Sequence, residues 1–68
     1  MITGGKNMKQ ITAQATYLGW DVWEVAIDDM DAMTACLTRT WTGWSAQDAL
    51  KQANAKLNLF GYEAVIKA

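Results

Sequence analysis

The residues of this chain that could take part in chemistry are mainly carboxylates, because the sequence contains no histidine and a single cysteine, Cys36. Nucleophilic catalysis needs a base beside the nucleophile, and Cys36 has no basic neighbour in the sequence. We therefore interpret Cys36 as a small apolar residue. One cysteine also excludes an intrachain disulfide and a cysteine-based zinc site. We predict no catalytic residues and a protein that is not an enzyme.

Five carboxylates occupy the middle of the chain, where residues 20–37 contain no lysine or arginine. They are Asp21, Glu24, Asp28, Asp29 and Asp31. Their spacing lacks the alternating ligands, central glycine and terminal glutamate of a calcium loop, so we predict no metal and no cofactor. Two interpretations of this acidic block remain. The carboxylates either solvate turns and a strand face, or they form a surface that attracts a basic partner.

Tryptophan is the other unusual residue type, with four in 68 residues. A domain of this size has a small core, so we expect some of these rings at the surface. We predict that Trp23 and Trp41 are core residues, and that Trp20 and Trp44 are exposed anchors for a protein partner. Packing of the last two on the domain's own edge is the alternative. The predicted binding residues are Trp20, Asp21, Glu24, Asp28, Asp29, Asp31 and Trp44.

Alternating apolar and polar positions predict the strands that carry these residues. The first strand begins at Lys9, and one of its faces holds Ile11, Ala13, Ala15 and Tyr17. The second covers 20–27, with Trp23, Val25 and Ile27 facing the core. A short connection at Gly19 predicts a hairpin between them. Aspartates at 28–31 predict a turn, followed by a third strand over 32–42 with a solvated row of threonines.

The spacing of apolar residues changes after Gly43 from strand-like alternation to a helical period. Ser45 followed by Asp48 resembles a capping box and predicts the start of a helix. Its apolar stripe consists of Ala46, Ala49, Leu50, Ala53, Leu57 and Phe60, all predicted to face the core. Gly61 suits the residue that closes a helix, and 62–67 alternate as a last strand.

These elements predict an α+β fold: a β-β-β-α-β two-layer domain, an antiparallel sheet with one helix on one face. We place the domain at residues 9–68, after a flexible leader at 1–8, with Met1 or Met8 as the start. The chain has no run of about 18 apolar residues and no apolar segment typical of a secretory signal, so we expect a cytoplasmic protein without a membrane partner.

Residues 40–68, TWTGWSAQDALKQANAKLNLFGYEAVIKA, resemble the C-terminal part of small bacteriophage inhibitor proteins. The shared layout is a strand, a helix with small and polar residues at its start, and a Gly-aromatic-Glu return into a last strand. The layout resembles that of the phage inhibitor of host RNA polymerase and of at least one anti-CRISPR protein. The resemblance implies a non-enzymatic inhibitor or adaptor of phage or mobile-element origin, which binds a host protein complex.

Two alternatives remain open. The first is a nucleic-acid-binding module, because a three-stranded sheet followed by a helix also resembles the arm-binding domains of phage integrases. The net charge of −1, with only Lys9 and Arg39 on the first three predicted strands, argues against phosphate-driven binding. Stacking of single strands on tryptophan would not need many cations. The second alternative is self-association, as a homodimer, through the uncovered sheet face or an edge strand.

Overall fold

The computed structural model of the chain describes residues 8–67, so the predicted leader falls outside the described residues except for Met8. Its elements are β1 (Lys9–Gly19), β2 (Val22–Ile27), α1 (Met30–Cys36), β3 (Thr40–Gly43), α2 (Ala46–Leu57), a 3₁₀ turn (Asn58–Phe60) and β4 (Tyr62–Ile66). The fold is α+β, as predicted, with one four-stranded sheet packed against α2. No helix within residues 8–67 is long and apolar enough to cross a bilayer.

The sheet is mixed, whereas the sequence predicted a purely antiparallel one. Its strand order is β3-β2-β1-β4, with β1–β2 and β2–β3 antiparallel and β1–β4 parallel. The reason is the path of α2. This helix leaves β3 at one edge, crosses the sheet and delivers β4 to the other edge, and such a crossover can place a strand parallel to its neighbour.

The predicted β1–β2 hairpin and the orientation of its strands are confirmed. Ala13 pairs with Ile27 and Ala15 with Val25, so these four side chains share the face that α2 covers. Ile11, Ala13, Val25 and Ile27 are buried. The opposite face carries the polar positions of β1, as expected from a period of two.

The predicted third strand over 32–42 is wrong in its first half, where the chain forms a second helix, α1. The Asp29 carboxylate caps α1 by accepting a hydrogen bond from the Ala32 backbone N–H at 3.0 Å. Ala32 and Cys36, four residues apart, are the buried positions of this helix. The sequence did contain a signal for it, since an aspartate cap followed by Met and Ala favours a helix.

α2 starts and packs as predicted. The Ser45 hydroxyl accepts a hydrogen bond from the Asp48 N–H at 3.0 Å, and Ala49, Ala53 and Leu57 are buried. Gly43 lets α2 approach β3 closely, because a Cβ at this position would lie 2.5 Å from the Ala49 nitrogen. Gly61 follows the 3₁₀ turn with a φ of 85°, as expected for the closing residue.

The core is built from small side chains. Its buried members are Ile11, Ala13, Val25, Ile27, Ala32, Cys36, Ala49, Ala53, Leu57 and Ala64. Trp41 packs partly buried against it, while Trp23 is half-buried, with its ring 5.3 Å from the Tyr17 ring and tilted by 53° to it. The prediction that Phe60 lies in the core is wrong: this ring is 45% exposed. The helix tightens to 3₁₀ at Asn58, which rotates Phe60 out of the apolar stripe.

Candidate protein-binding surface

The turn between β1 and β2 consists of Trp20 and Asp21 alone. Both have positive φ angles, 57° and 59°, and Gly19 before them has a φ of 96°. Two-residue hairpin turns with positive φ at both positions favour Asn-Gly, because bulkier residues are disfavoured there. An extra residue at Leu18 shifts the register between Tyr17 and Gly19, which is a bulge that turns the chain into this conformation.

Trp20 at this turn is 93% exposed, and Trp44 at the end of β3 is 75% exposed. Because Trp23 pairs with Gly43, the β1–β2 turn and the end of β3 lie at the same end of the sheet. The two tryptophans that the sequence assigned to the surface therefore share one end of the molecule. We call this end, formed by Trp20, Asp21, Glu24 and Trp44, the tryptophan end.

Trp44 is positioned by the start of α2. Its backbone N–H donates to Asp48 Oδ2 at 3.0 Å, while the Ser45 hydroxyl caps the helix at the Asp48 N–H. Beside Trp44 lies an open groove of about 360 Å³, lined by Val22, Thr42, Gly43, Trp44, Asp48 and Gln52. Asp48 adds a carboxylate to the tryptophan end that the predicted set of binding residues did not include.

The predicted acidic surface is divided between the two ends of β2. Asp21 and Glu24 belong to the tryptophan end, and Glu24 lies between Thr16 and Thr42 on the face of the sheet away from α2. Asp28, Asp29 and Asp31 follow the opposite end of β2, roughly 20 Å from Asp21 and roughly 13 Å from Glu24 at the usual rise of a strand. The fold therefore does not bring the five carboxylates together.

Both carboxylate oxygens of Asp29 contact other groups of the domain. One oxygen, Oδ2, caps α1, and the other, Oδ1, lies 3.5 Å from Lys9 Nζ. That ion pair is exposed on the lysine side and adds little stability, whereas the cap satisfies a backbone donor. Asp28 and Asp31 are exposed beside it.

The sheet face away from α2 is polar. Its described side chains on β1 are Gln10, Thr12, Gln14 and Thr16, and those on the neighbouring strands include Glu24, Ala26, Thr40, Thr42, Glu63 and Val65. None of these ten is aromatic or basic. Arg39 and Lys67 border it at a shallow cleft of about 200 Å³, together with Asp28.

Cys36, the one nucleophilic thiol of the sequence, is buried. Burial raises the pKa of the Cys36 thiol, an effect that the nearby Lys56 ammonium partly offsets. A raised pKa keeps the thiol protonated at neutral pH, which is the reverse of an activated nucleophile. Residues 8–67 contain no cluster of three acidic or cysteine side chains with the geometry of a metal site.

Two residues of the tryptophan end are absent from the predicted set of binding residues. Leu18, 50% exposed, is the bulge residue, and Asp48 positions Trp44. The capping motif of Ser45 and Asp48 directly follows Trp44 in the chain, so the contact between Asp48 and Trp44 could have been predicted from the sequence. The bulge at Leu18 has no signal beyond the glycine that follows it.

No protein-family model matches this chain, and the searches of curated proteins and of solved structures found no match either.

Proposed function

We propose that this chain is a small non-enzymatic protein-binding domain, an inhibitor or adaptor that holds its partner through the tryptophan end. The observation that carries the proposal is Trp20, a side chain 93% exposed on a turn with a φ of 57°. Both its exposure and its backbone conformation are unfavourable for the isolated domain.

The unfavourable backbone conformation of Trp20 is not offset by burial of its side chain. Left-handed backbone disfavours a large side chain, by about 1–2 kcal/mol, and the exposed ring gains almost no burial. Strained residues that the fold does not need cluster at functional sites. Tryptophan is also enriched among the residues that dominate binding energy at protein interfaces. A partner that covers the Trp20 ring would supply the missing burial.

The charge of the tryptophan end indicates the kind of partner surface. Asp21 and Glu24 belong to it and Asp48 lies beside Trp44, whereas Arg39 and Lys67 border the sheet at the level of Ile27, the far end of β2. A basic surface with an apolar pocket would therefore complement it, because opposite charges steer association and select the partner. The resemblance of residues 40–68 to phage inhibitors supports a host protein complex as that partner, and a phage or mobile-element origin.

Capture of a partner from bacterial lysate on the immobilised chain tests the proposal. We expect Trp20→Ala to lose the captured protein, with an affinity about 30-fold lower if the ring contributes about 2 kcal/mol. Leu37→Ala is the matched control, because Leu37 is also an exposed apolar residue, at 90%, with a positive φ of 61°. Equal retention by the wild type and Trp20→Ala would refute the proposal.

A further inference from the structure

The two edges of the sheet differ in how their backbone groups are satisfied. On β4, the Asn54 side chain donates to the Ala64 C=O at 3.1 Å and accepts from the Ala64 N–H at 2.7 Å. This carboxamide from α2 occupies the positions that a neighbouring strand would take, so it closes the β4 edge at its middle. β3 is the other edge of the sheet.

The register of β3 shows which of its backbone groups point outward. The Ile27 N–H donates to the Arg39 C=O at 2.9 Å, and Val25 pairs with Trp41. The backbone N–H and C=O groups of successive residues point to opposite sides of an antiparallel strand. Those of Arg39 and Trp41 therefore point towards β2, and those of Thr40 and Thr42 point away from the sheet. The Thr38 hydroxyl makes two long hydrogen bonds with Thr40: it accepts from the N–H at 3.4 Å and donates to the C=O at 3.3 Å. A strand that pairs with β3 would replace both.

We propose that β3 pairs with β3 of a second copy of this chain, antiparallel across a two-fold axis. The outward groups fix the register: Thr40 of each copy lies opposite Thr42 of the other, and Trp41 lies on the axis. This is the register that uses both outward-facing residues of each four-residue strand. It joins the two sheets into one of eight strands and places threonine pairs on the polar face, where such pairs are favourable.

The charges of β3 support a second copy as the occupant. The same register places Arg39 of one copy opposite Gly43 of the other, next to the groove that Trp44 and Asp48 line. Asp48 Oδ2 is bonded to the Trp44 N–H, and its Oδ1 accepts no hydrogen bond within the described residues. A guanidinium at this place can bind that oxygen and lie against the indole ring. A basic residue thus precedes each β3 strand, and an aromatic and an acidic residue follow it. Two such strands are complementary to each other when they pair antiparallel about a two-fold axis.

A four-residue strand buries little area, so the dimer is weak, with a dissociation constant on the order of 0.1 mM. Sedimentation equilibrium between about 10 μM and 1 mM covers that range. We expect Thr42→Pro to abolish dimerisation, since proline removes an outward N–H that the monomer does not use. Arg39→Glu should weaken it at least about 10-fold. Lys67→Glu makes the same change of charge in the cleft that Arg39 also lines, but after β4, the opposite edge strand. This variant should leave dimerisation unchanged.

Amide hydrogen exchange of the wild type provides a second measurement that needs no variant. Exchange at Thr40 and Thr42 should slow as the concentration rises, while exchange at Tyr62, on the β4 edge, should not change. A monomer throughout the concentration range would overturn the proposal, as would dimerisation that Thr42→Pro and Arg39→Glu both leave intact. Trp20→Ala should not affect the dimer, so this proposal and the protein-binding function can fail separately.

Discussion

At the scale of single residues, the conformation of the Trp20–Asp21 turn links the structure to its proposed function. Both residues have positive φ angles, although neither is glycine or asparagine. The Asp21 N–H has a long hydrogen bond to the Tyr17 hydroxyl, at 3.3 Å, and the Trp20 side chain is almost fully exposed. A sequence selected only for stability would place other residues here.

Replacing the turn by Trp20→Asn with Asp21→Gly should therefore stabilise the domain. Asn-Gly is the preferred pair for this turn, and we expect the free energy of unfolding to rise by about 1–2 kcal/mol. Denaturant titration followed by the remaining tryptophans measures the change. A fall in stability would mean that the Trp20 ring contributes packing that its exposure does not reveal.

Cys36 provides a second prediction at this scale. Because burial raises the pKa of its thiol, the fraction of reactive thiolate at pH 8 should be lower than in an unfolded chain. Its reaction with a disulfide reagent should be slow in the native protein and fast in denaturant. Rapid native-state reaction would indicate that α1 opens readily or that the thiol is activated.

At the scale of elements, the sequence predicted the strands and the helix that depend on residues close together in the chain. The β1–β2 hairpin followed from alternation, and α2 from the Ser45 cap and its stripe of small apolar residues. α1 was missed because Met33, Ala35 and Leu37 alternate like a strand, while its buried pair, Ala32 and Cys36, has helical spacing. The parallel pairing of β4 with β1 depends on where α2 delivers the chain, and no local pattern contains that information.

Asn54 shows how an element is tied to its neighbour by one side chain. Asn54→Ala removes two hydrogen bonds and leaves the Ala64 N–H and C=O without their partners. We expect a loss of about 1–3 kcal/mol in the free energy of unfolding. We also expect stronger self-association, because the β4 edge is opened. Thermal unfolding and sedimentation measure the two effects, and an unchanged unfolding temperature would show that the carboxamide is not needed.

At the scale of the whole molecule, the acidic residues fall into two groups with different surroundings. Asp21 and Glu24 lie at the tryptophan end. Asp28 and Asp31 lie at the far end of β2, close to Asp29, which caps α1. The sequence predicted one continuous acidic surface because these residues are close along the chain. The six residues of β2 separate Asp21 from Asp28, and Glu24 is the third of them. This separation could have been inferred once β2 was recognised.

Charge reversal at each end tests whether only one group binds the partner. Asp21→Lys with Glu24→Lys should weaken the captured complex and reduce its dependence on salt. Asp28→Lys with Asp31→Lys changes the net charge equally and should leave affinity within about two-fold, apart from long-range effects that salt screens. Asp29 is kept in both variants because it caps α1. Loss of binding only in the second variant would place the contact at the opposite end of the molecule.

The most direct test of the central claim uses the Trp20→Asn, Asp21→Gly variant in a binding experiment with the captured partner. Isothermal titration of this variant and of the wild type measures affinity in the same buffer, and denaturant titration confirms that both are folded. The account predicts that the variant is at least as stable as the wild type and binds about 30-fold or more weakly. Unchanged affinity in a folded variant would contradict the assignment of Trp20 as the binding anchor.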